Sequence, residues 1–139
     1  MGFCDAFREQ GIPLPKDHLI ETGNIFYELG VDAGKQIAAS PLHFTAAVTA
    51  ADVLAFGVME GLRLGGLRVP EDVSIIGFDD LPECQFTHPR LTSISQHLEE
   101  KAQCAGRCLF SMLHGDAVVN CNRKVDVELV ERQSVVAIA

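Results

Sequence analysis

The stretch Val69-Pro70-Glu71-Asp72-Val73-Ser74-Ile75-Ile76-Gly77-Phe78-Asp79-Asp80 constrains the fold of this chain more than any other. Val73, Ile75 and Ile76 make a short apolar run rich in β-branched side chains. A run without regular polar alternation suits a strand covered on both faces of a parallel sheet. Val69 precedes a proline and is pushed out of the α region, so no helix is expected to cross it. The strand is expected to end at Gly77 and to release two carboxylates, Asp79 and Asp80. Open α/β sheets bind ligands beyond the carboxyl ends of their strands. The paired acids therefore fall where such a sheet keeps its site.

The flanking segments alternate between the two regular periods. Asp5 to Gln10 reads as the end of a helix, stopped by Gly11 and Pro13. Leu19-Ile20 is a weak strand candidate. Tyr27 to Ser40 reads as a helix, with Leu29, Ala33 and Ile37 four apart and Pro41 after its end. Phe44 to Thr49 is a second strand candidate. Asp52 is placed to cap a helix over Val53 to Leu64, which Gly65-Gly66 ends. Leu91 to Ser95 is a short strand candidate. His97 to Leu113 is the clearest helix, with Leu98, Ala102, Ala105, Leu109 and Met112 on one stripe and Gly115 as its stop. Val125, Val127, Leu129 and then Val135-Val136 close the chain as strand. Strands alternating with helices predict a doubly wound α/β fold on a parallel sheet with right-handed crossovers.

Positions 53–59, Val-Leu-Ala-Phe-Gly-Val-Met, carry no polar side chain. One face of that helix can lie on the sheet, and the other then needs a second cover. A subunit partner and a neighbouring part of a larger domain both supply one.

Composition narrows the function. The net charge of −8 disfavours a chain that grips nucleic acid by itself, since that binding is mainly phosphate neutralisation by Lys and Arg. Five scattered cysteines (Cys4, Cys84, Cys104, Cys108, Cys121) and no secretion signal fit reduced thiols in a cytoplasm. No apolar run is long enough to span a membrane. Cys104 and Cys108 lie four apart, but that spacing is no zinc site, and core packing is the expectation for them. No phosphate loop, nucleophile elbow or Ser/His/Asp arrangement occurs. No metal, cofactor or enzymatic activity is expected.

Gly65-Gly66-Leu67-Arg68-Val69-Pro70-Glu71-Asp72-Val73-Ser74-Ile75-Ile76-Gly77-Phe78-Asp79-Asp80, followed by Pro89-Arg90-Leu91-Thr92-Ser93-Ile94 and Gln96, resembles the effector-binding domain of LacI/GalR-type transcriptional regulators. The family carries "G-L-x-V-P-x-D-x-S-V-x-G-F-D-D" and then "P-x-L-T-T-I-x-Q"; Ser93 stands where Thr is usual. Phe44-Thr45-Ala46-Ala47, Ala51-Asp52 and Ala55-Phe56-Gly57 look like its "P-T-A … N-D … A-x-G". Leu129-Val130-Glu131-Arg132-Gln133-Ser134 looks like its "L-I-x-R-x-S". The resemblance covers essentially the whole chain. It implies the C-terminal subdomain of a bilobed, periplasmic-binding-protein-like sensor. Residues 1–139 would then be a partial effector-binding and dimerisation domain, without the helix-turn-helix domain and first subdomain of such regulators.

The resemblance also implies roles. Asp79 matches the family's effector-contacting aspartate, and a carboxylate accepts two donors, which suits a sugar or a nucleobase-like ligand. Capping of its own turn is the plainer alternative for Asp79, and Asp80 is expected to be structural. Ile25 aligns with the family's ligand-stacking aromatic, and Phe26 beside it reads as a substitute or as a core residue. Ala51 replaces the usual Asn, Asp52 is retained with capping as its simpler role, and Leu98 aligns with an apolar cleft residue. The family's effector-binding arginine would fall before Met1. Phe56 and Phe86 match the dimer interface, as two exposed anchors. The partners implied are a small-molecule effector and a second copy of the chain, with DNA reached only through the missing N-terminal domain and no membrane. Two other readings stay open. One is a fragment of a periplasmic sugar-binding protein of the same architecture. The other is a receiver-like or phosphoryl-transfer domain holding Mg²⁺ on Asp79 and Asp80.

Overall fold

The structure, a computed structural model, describes residues 2–115 and 124–137. Cys121 lies outside them. In chain order the elements are α1 (Gly2–Glu9), α2 (Tyr27–Ala39), β1 (Ala46–Val48), α3 (Asp52–Leu64), β2 (Ser74–Asp79), β3 (Thr92–Ser95), α4 (Leu98–His114) and β4 (Glu128–Val130). Short 3₁₀ turns cover Lys16–His18 and Pro82–Gln85.

The four strands form one sheet in the order β1-β2-β3-β4. β1 and β3 both run parallel to β2, whereas β4 runs antiparallel to β3, with Ile94 opposite Leu129. The fold is thus the expected α/β architecture on a mainly parallel sheet, with an antiparallel last strand. β2 also runs past Gly77 to Asp79, because its pairing with β3 continues to Asp79 opposite Ser95. Its run is covered unevenly. Val73 and Ile75 are buried, but Ile76 and Phe78 are only half-buried, so one sheet face is the better filled. Leu19-Ile20 forms no strand; Ile20 packs on the core from a loop.

The core joins α2, α3 and β2 through Ala33, Ile37, Ala55, Val58, Leu62, Val73 and Ile75, with Leu91 and Cys84 closing it. α2 and α3 meet backbone to backbone. A Cβ on Gly30 would stand 2.4 Å from the Leu54 carbonyl, and one on Gly57 would stand 2.1 Å from the Tyr27 carbonyl. Gly34 and Gly61 repeat the contact one turn on. Side chains longer than hydrogen would force the helices apart. α2 therefore supplies much of the second cover that the all-apolar start of α3 requires. α3 ends as its glycines predict: Gly66 takes a φ of 84°, and Leu67 N–H closes back on the Leu62 carbonyl at 3.0 Å.

After β4 the chain bonds to both central strands. Ile75 N–H donates to the Ser134 carbonyl at 2.8 Å, and Gln133 N–H donates to the Arg90 carbonyl at 2.9 Å. Ser134 Oγ donates to the Ile75 carbonyl at 2.6 Å and accepts from Thr92 N–H at 2.8 Å. The expected strand at Val135-Val136 is instead this bridging segment. Buried Ser134 supplies hydrogen bonds that a regular ladder would otherwise make.

α1 and α4 contribute no buried residue. On α4 the half-buried positions are Cys104, Gly106, Cys108 and Ser111, while Leu98, Leu109, Phe110, Met112 and Leu113 are exposed. The two cysteines are thus at the helix's better-covered side but outside the core. The four described cysteines, Cys4, Cys84, Cys104 and Cys108, are free. No described helix is long and apolar enough to cross a membrane.

Candidate functional site

Asp52 organises the inner layer of the candidate site. It is the first residue of α3 and is fully buried. Its Oδ2 accepts from Leu81 N–H at 2.7 Å and from the Cys84 thiol at 3.2 Å, and its Oδ1 accepts from Ser93 Oγ at 2.5 Å. Two expectations fall here. Asp52 does not cap its own helix, whose preceding residue makes no side-chain cap, and it offers no open face to a ligand. Its carboxylate instead ties α3 to β3 and to the turn after β2. The site is tight: a Cβ on Gly77 would stand 2.1 Å from Asp52 Oδ1. Burial, and then the Asp52 carboxylate, push the Cys84 thiol up to about 12, so it stays a neutral donor. Ala51 is buried too, so its side chain does not line an open wall.

The outer layer holds the acid pair. Asp79 and Asp80 take positive φ angles of 118° and 56°. Such angles in residues with side chains cost about 1–3 kcal/mol each and persist where the surroundings fix them. The two carboxylates then part company. Asp79 Oδ1 accepts from Gln96 Nε2 at 2.5 Å, and Lys101 Nζ donates in turn to Gln96 Oε1. Asp80 Oδ1 pairs with Arg132 Nη2 at 2.7 Å. Asp80 thus faces Arg132 and Asp79 faces Gln96, so the pair does not converge on one point as a Mg²⁺ site would need. Among the described residues no group of three His, Cys, Asp or Glu side chains is placed to hold a metal ion.

The network around Asp79 therefore joins the ends of β2 and β3 to the first turns of α4. It gives one carboxylate, half-buried and held at a strand's carboxyl end, with its second oxygen unbonded to any described residue. The carboxyl ends of the strands are where open α/β sheets keep their ligand sites. The residue-1–135 span matches the model of the periplasmic binding protein-like domain. The chain belongs to that family. It is 36% identical over 133 residues to the HTH-type transcriptional repressor CytR of Escherichia coli, an alignment covering 96% of this chain and 39% of CytR. It superposes on a LacI-type transcription regulator from Bifidobacterium animalis with a TM-score of 0.91 and 31% identity, over 98% of this chain and 49% of that one. A LacI family regulator from Lactobacillus casei with bound sucrose gives a TM-score of 0.83 and 26% identity, over 96% of this chain and 49% of that one. The chain thus spans about two fifths of its curated relative's length. Its LacI-type relatives are transcriptional regulators, not enzymes.

Within this family's domain, Ile25, Phe26 and Leu98 are all exposed, and none joins the hydrogen-bond network of Asp79. The core alternative for Phe26 is corrected, since it stands in the extended segment before α2 with 58% of its surface open. Phe86 is exposed at 75%, just after the Pro82–Gln85 turn. Phe56 is not exposed: it is half-buried against the core, at the floor of a groove of about 550 Å³ between Tyr27, Met59, Leu67, Val69 and Pro89. Sequence reading missed Gln96, Lys101 and Arg132 as site residues. Gln96 and Arg132 both sat in the family motifs without a role assigned to them; Lys101 carried no signal beyond its place one turn into α4, five residues from Gln96.

Proposed function

We propose that this chain is the effector-sensing and dimerising part of a cytoplasmic LacI-type regulator, with no enzymatic activity and no DNA grip of its own. One observation carries the reading: Asp79 is held at the end of β2 by Gln96 with one carboxylate oxygen left over. A carboxylate so placed accepts a hydroxyl or ring N–H, which favours a sugar or a nucleobase-like effector over an anion. The sucrose held by the Lactobacillus casei relative supports that class. Ile25, Phe26 and Leu98 would form the apolar rim of the same cleft. Asp52 would act from behind it, through its Ser93 and Leu81 contacts, with Ala51 buried beside it. The cleft's other wall, and the DNA reader, would belong to a first subdomain and a helix-turn-helix domain. The exposed stripe of α4 would pack on that subdomain. Phe86 and the groove floored by Phe56 would meet a second copy.

Effector binding then biases a two-state closure by its differential affinity for the two states. The test is an NMR titration, with D-ribose, sucrose, cytidine and hypoxanthine, of this chain joined to the first subdomain that completes its cleft. The reading expects one ligand to shift the Asp79 amide and the Gln96 side-chain amide, and Asp79→Ala to remove those shifts. Shifts confined to other regions, or none with any ligand, would contradict it.

A further inference from the structure

Asp79 points where it does because something forces two consecutive non-glycine residues to positive φ, 118° and 56°. The force comes from the far end of the chain. Arg132 Nη2 donates to Asp80 Oδ1 at 2.7 Å, its Nη1 donates to the Leu91 carbonyl at 2.9 Å, and its backbone N–H donates to Thr92 Oγ1 at 2.9 Å. Arg132 and Asp80 side chains are only 12% and 22% exposed. A planar fork that reaches two acceptors at once fixes direction as well as distance. On its other side, Asp80 N–H donates to Ser93 Oγ at 3.1 Å, and that hydroxyl is already committed to buried Asp52. Asp80 is thus gripped through backbone and side chain, leaving the residue before it no relaxed alternative.

We infer that Arg132 is a positioning residue for Asp79, holding Asp80 so that the preceding carboxylate meets Gln96 and keeps one oxygen for the effector. The inference rests on the reading of Asp79 as the effector contact. It adds a coupling. Arg132 lies two residues beyond β4, in the segment whose Gln133 and Ser134 bridge β2 and β3. That coupling runs through the Arg132 guanidinium, the segment's contact with Asp80, and not through the neighbouring bridges that Ser134 makes.

The test uses the ligand-free 139-residue chain, so a failed search for an effector would sink the binding reading and leave this result standing. The readouts are the Gln96 side-chain amide shift and the φ-sensitive amide–Hα coupling of Asp79. Arg132→Met is expected to move the Gln96 amide to its free position and to raise the Asp79 coupling to the extended-strand value. Arg132→Lys should restore part of both, since it keeps the charge beside Asp80, and Asp80→Asn should mimic the methionine variant. Ser134→Ala loosens the same segment without touching Asp80 and should leave both readouts in place. If Arg132→Met leaves them unchanged in a folded chain, or Ser134→Ala moves them as much, the inference is overturned. If Arg132→Met unfolds the chain, Arg132→Lys and Asp80→Asn decide by the same two readouts.

Discussion

The α2–α3–β2 region and α4 use apolar residues in opposite ways. α3 has an apolar surface nearly all round its first two turns and covers most of it within the chain, against β2 on one side and against α2 on another. Glycines at 30, 34, 57 and 61 let the two helices touch at backbone distance. α4 carries a regular stripe of its own and covers none of it: Leu109 is 56% and Met112 55% exposed, and no α4 residue is buried. The difference teaches that amphipathic periodicity says a face wants cover, but not where the cover is. The first region is self-sufficient. The second is built as a surface, and apolar faces of this size seek a partner.

The sharpest way to break the self-sufficient region is Asp52→Ala. It strands the Leu81 N–H, the Ser93 hydroxyl and the Cys84 thiol in the interior. Each buried donor left unpaired costs on the order of 1–3 kcal/mol, so a loss of about 4 kcal/mol is expected in urea unfolding. Gly57→Ala comes next. Its new methyl would meet the Tyr27 carbonyl at 2.1 Å, and prising the helices apart should cost about 3 kcal/mol. The paired change Leu109→Ser and Met112→Ser sits on the open helix. Its expected effect on unfolding of the monomer is within about 0.5 kcal/mol, but sedimentation velocity should show self-association of the parent chain sharply reduced. A parent chain that sediments as a monomer at every concentration, with a sharp melt, would contradict the picture of α4.

The smallest effect is expected at the turn before β2. The Arg68 side chain, and then its backbone N–H, hold the Asp72 carboxyl at about 2, below its ordinary value. A carboxyl lowered by folding stabilises the folded state at pH values above the ordinary carboxylate range. That contribution fades as pH falls toward about 2. The pair is exposed and screened, so Asp72→Asn should change stability slightly at neutral pH, and less still as pH falls through about 2. Carboxyl NMR of Asp72 across that range checks the direction.

Much of this fold was legible because periodic apolar patterns name elements: α2, α3, α4 and β2 fall where the sequence puts them. What stayed hidden depends on partners distant in the chain. The direction of β4 comes from its antiparallel pairing with β3, which no local pattern announces. The spacings Gly30/Gly34 and Gly57/Gly61 were in plain view, but each pair acquires meaning only when the other faces it. Asp52 looked like a cap because it opens a helix; its true partners, Leu81, Cys84 and Ser93, come together only when the sheet forms. At the site, Asp79 was legible from the end of a buried strand and from the family motif. Gln96 and Arg132 stood in the motifs too, but their contacts with Asp79 and Asp80, and that of Lys101 with Gln96, form only once the strand ends are folded together.

Hydrogen exchange at two protein concentrations sets the two regions directly against each other. Amides of α3 and β2 should be strongly protected already in the dilute sample. Amides of α4 should exchange fast in the dilute sample and gain protection in the concentrated one, as exposed stripes find each other. Protection of α4 equal to that of α3 in the dilute sample would mean that the helix is already covered within the chain, and would contradict its assignment as an open interaction surface.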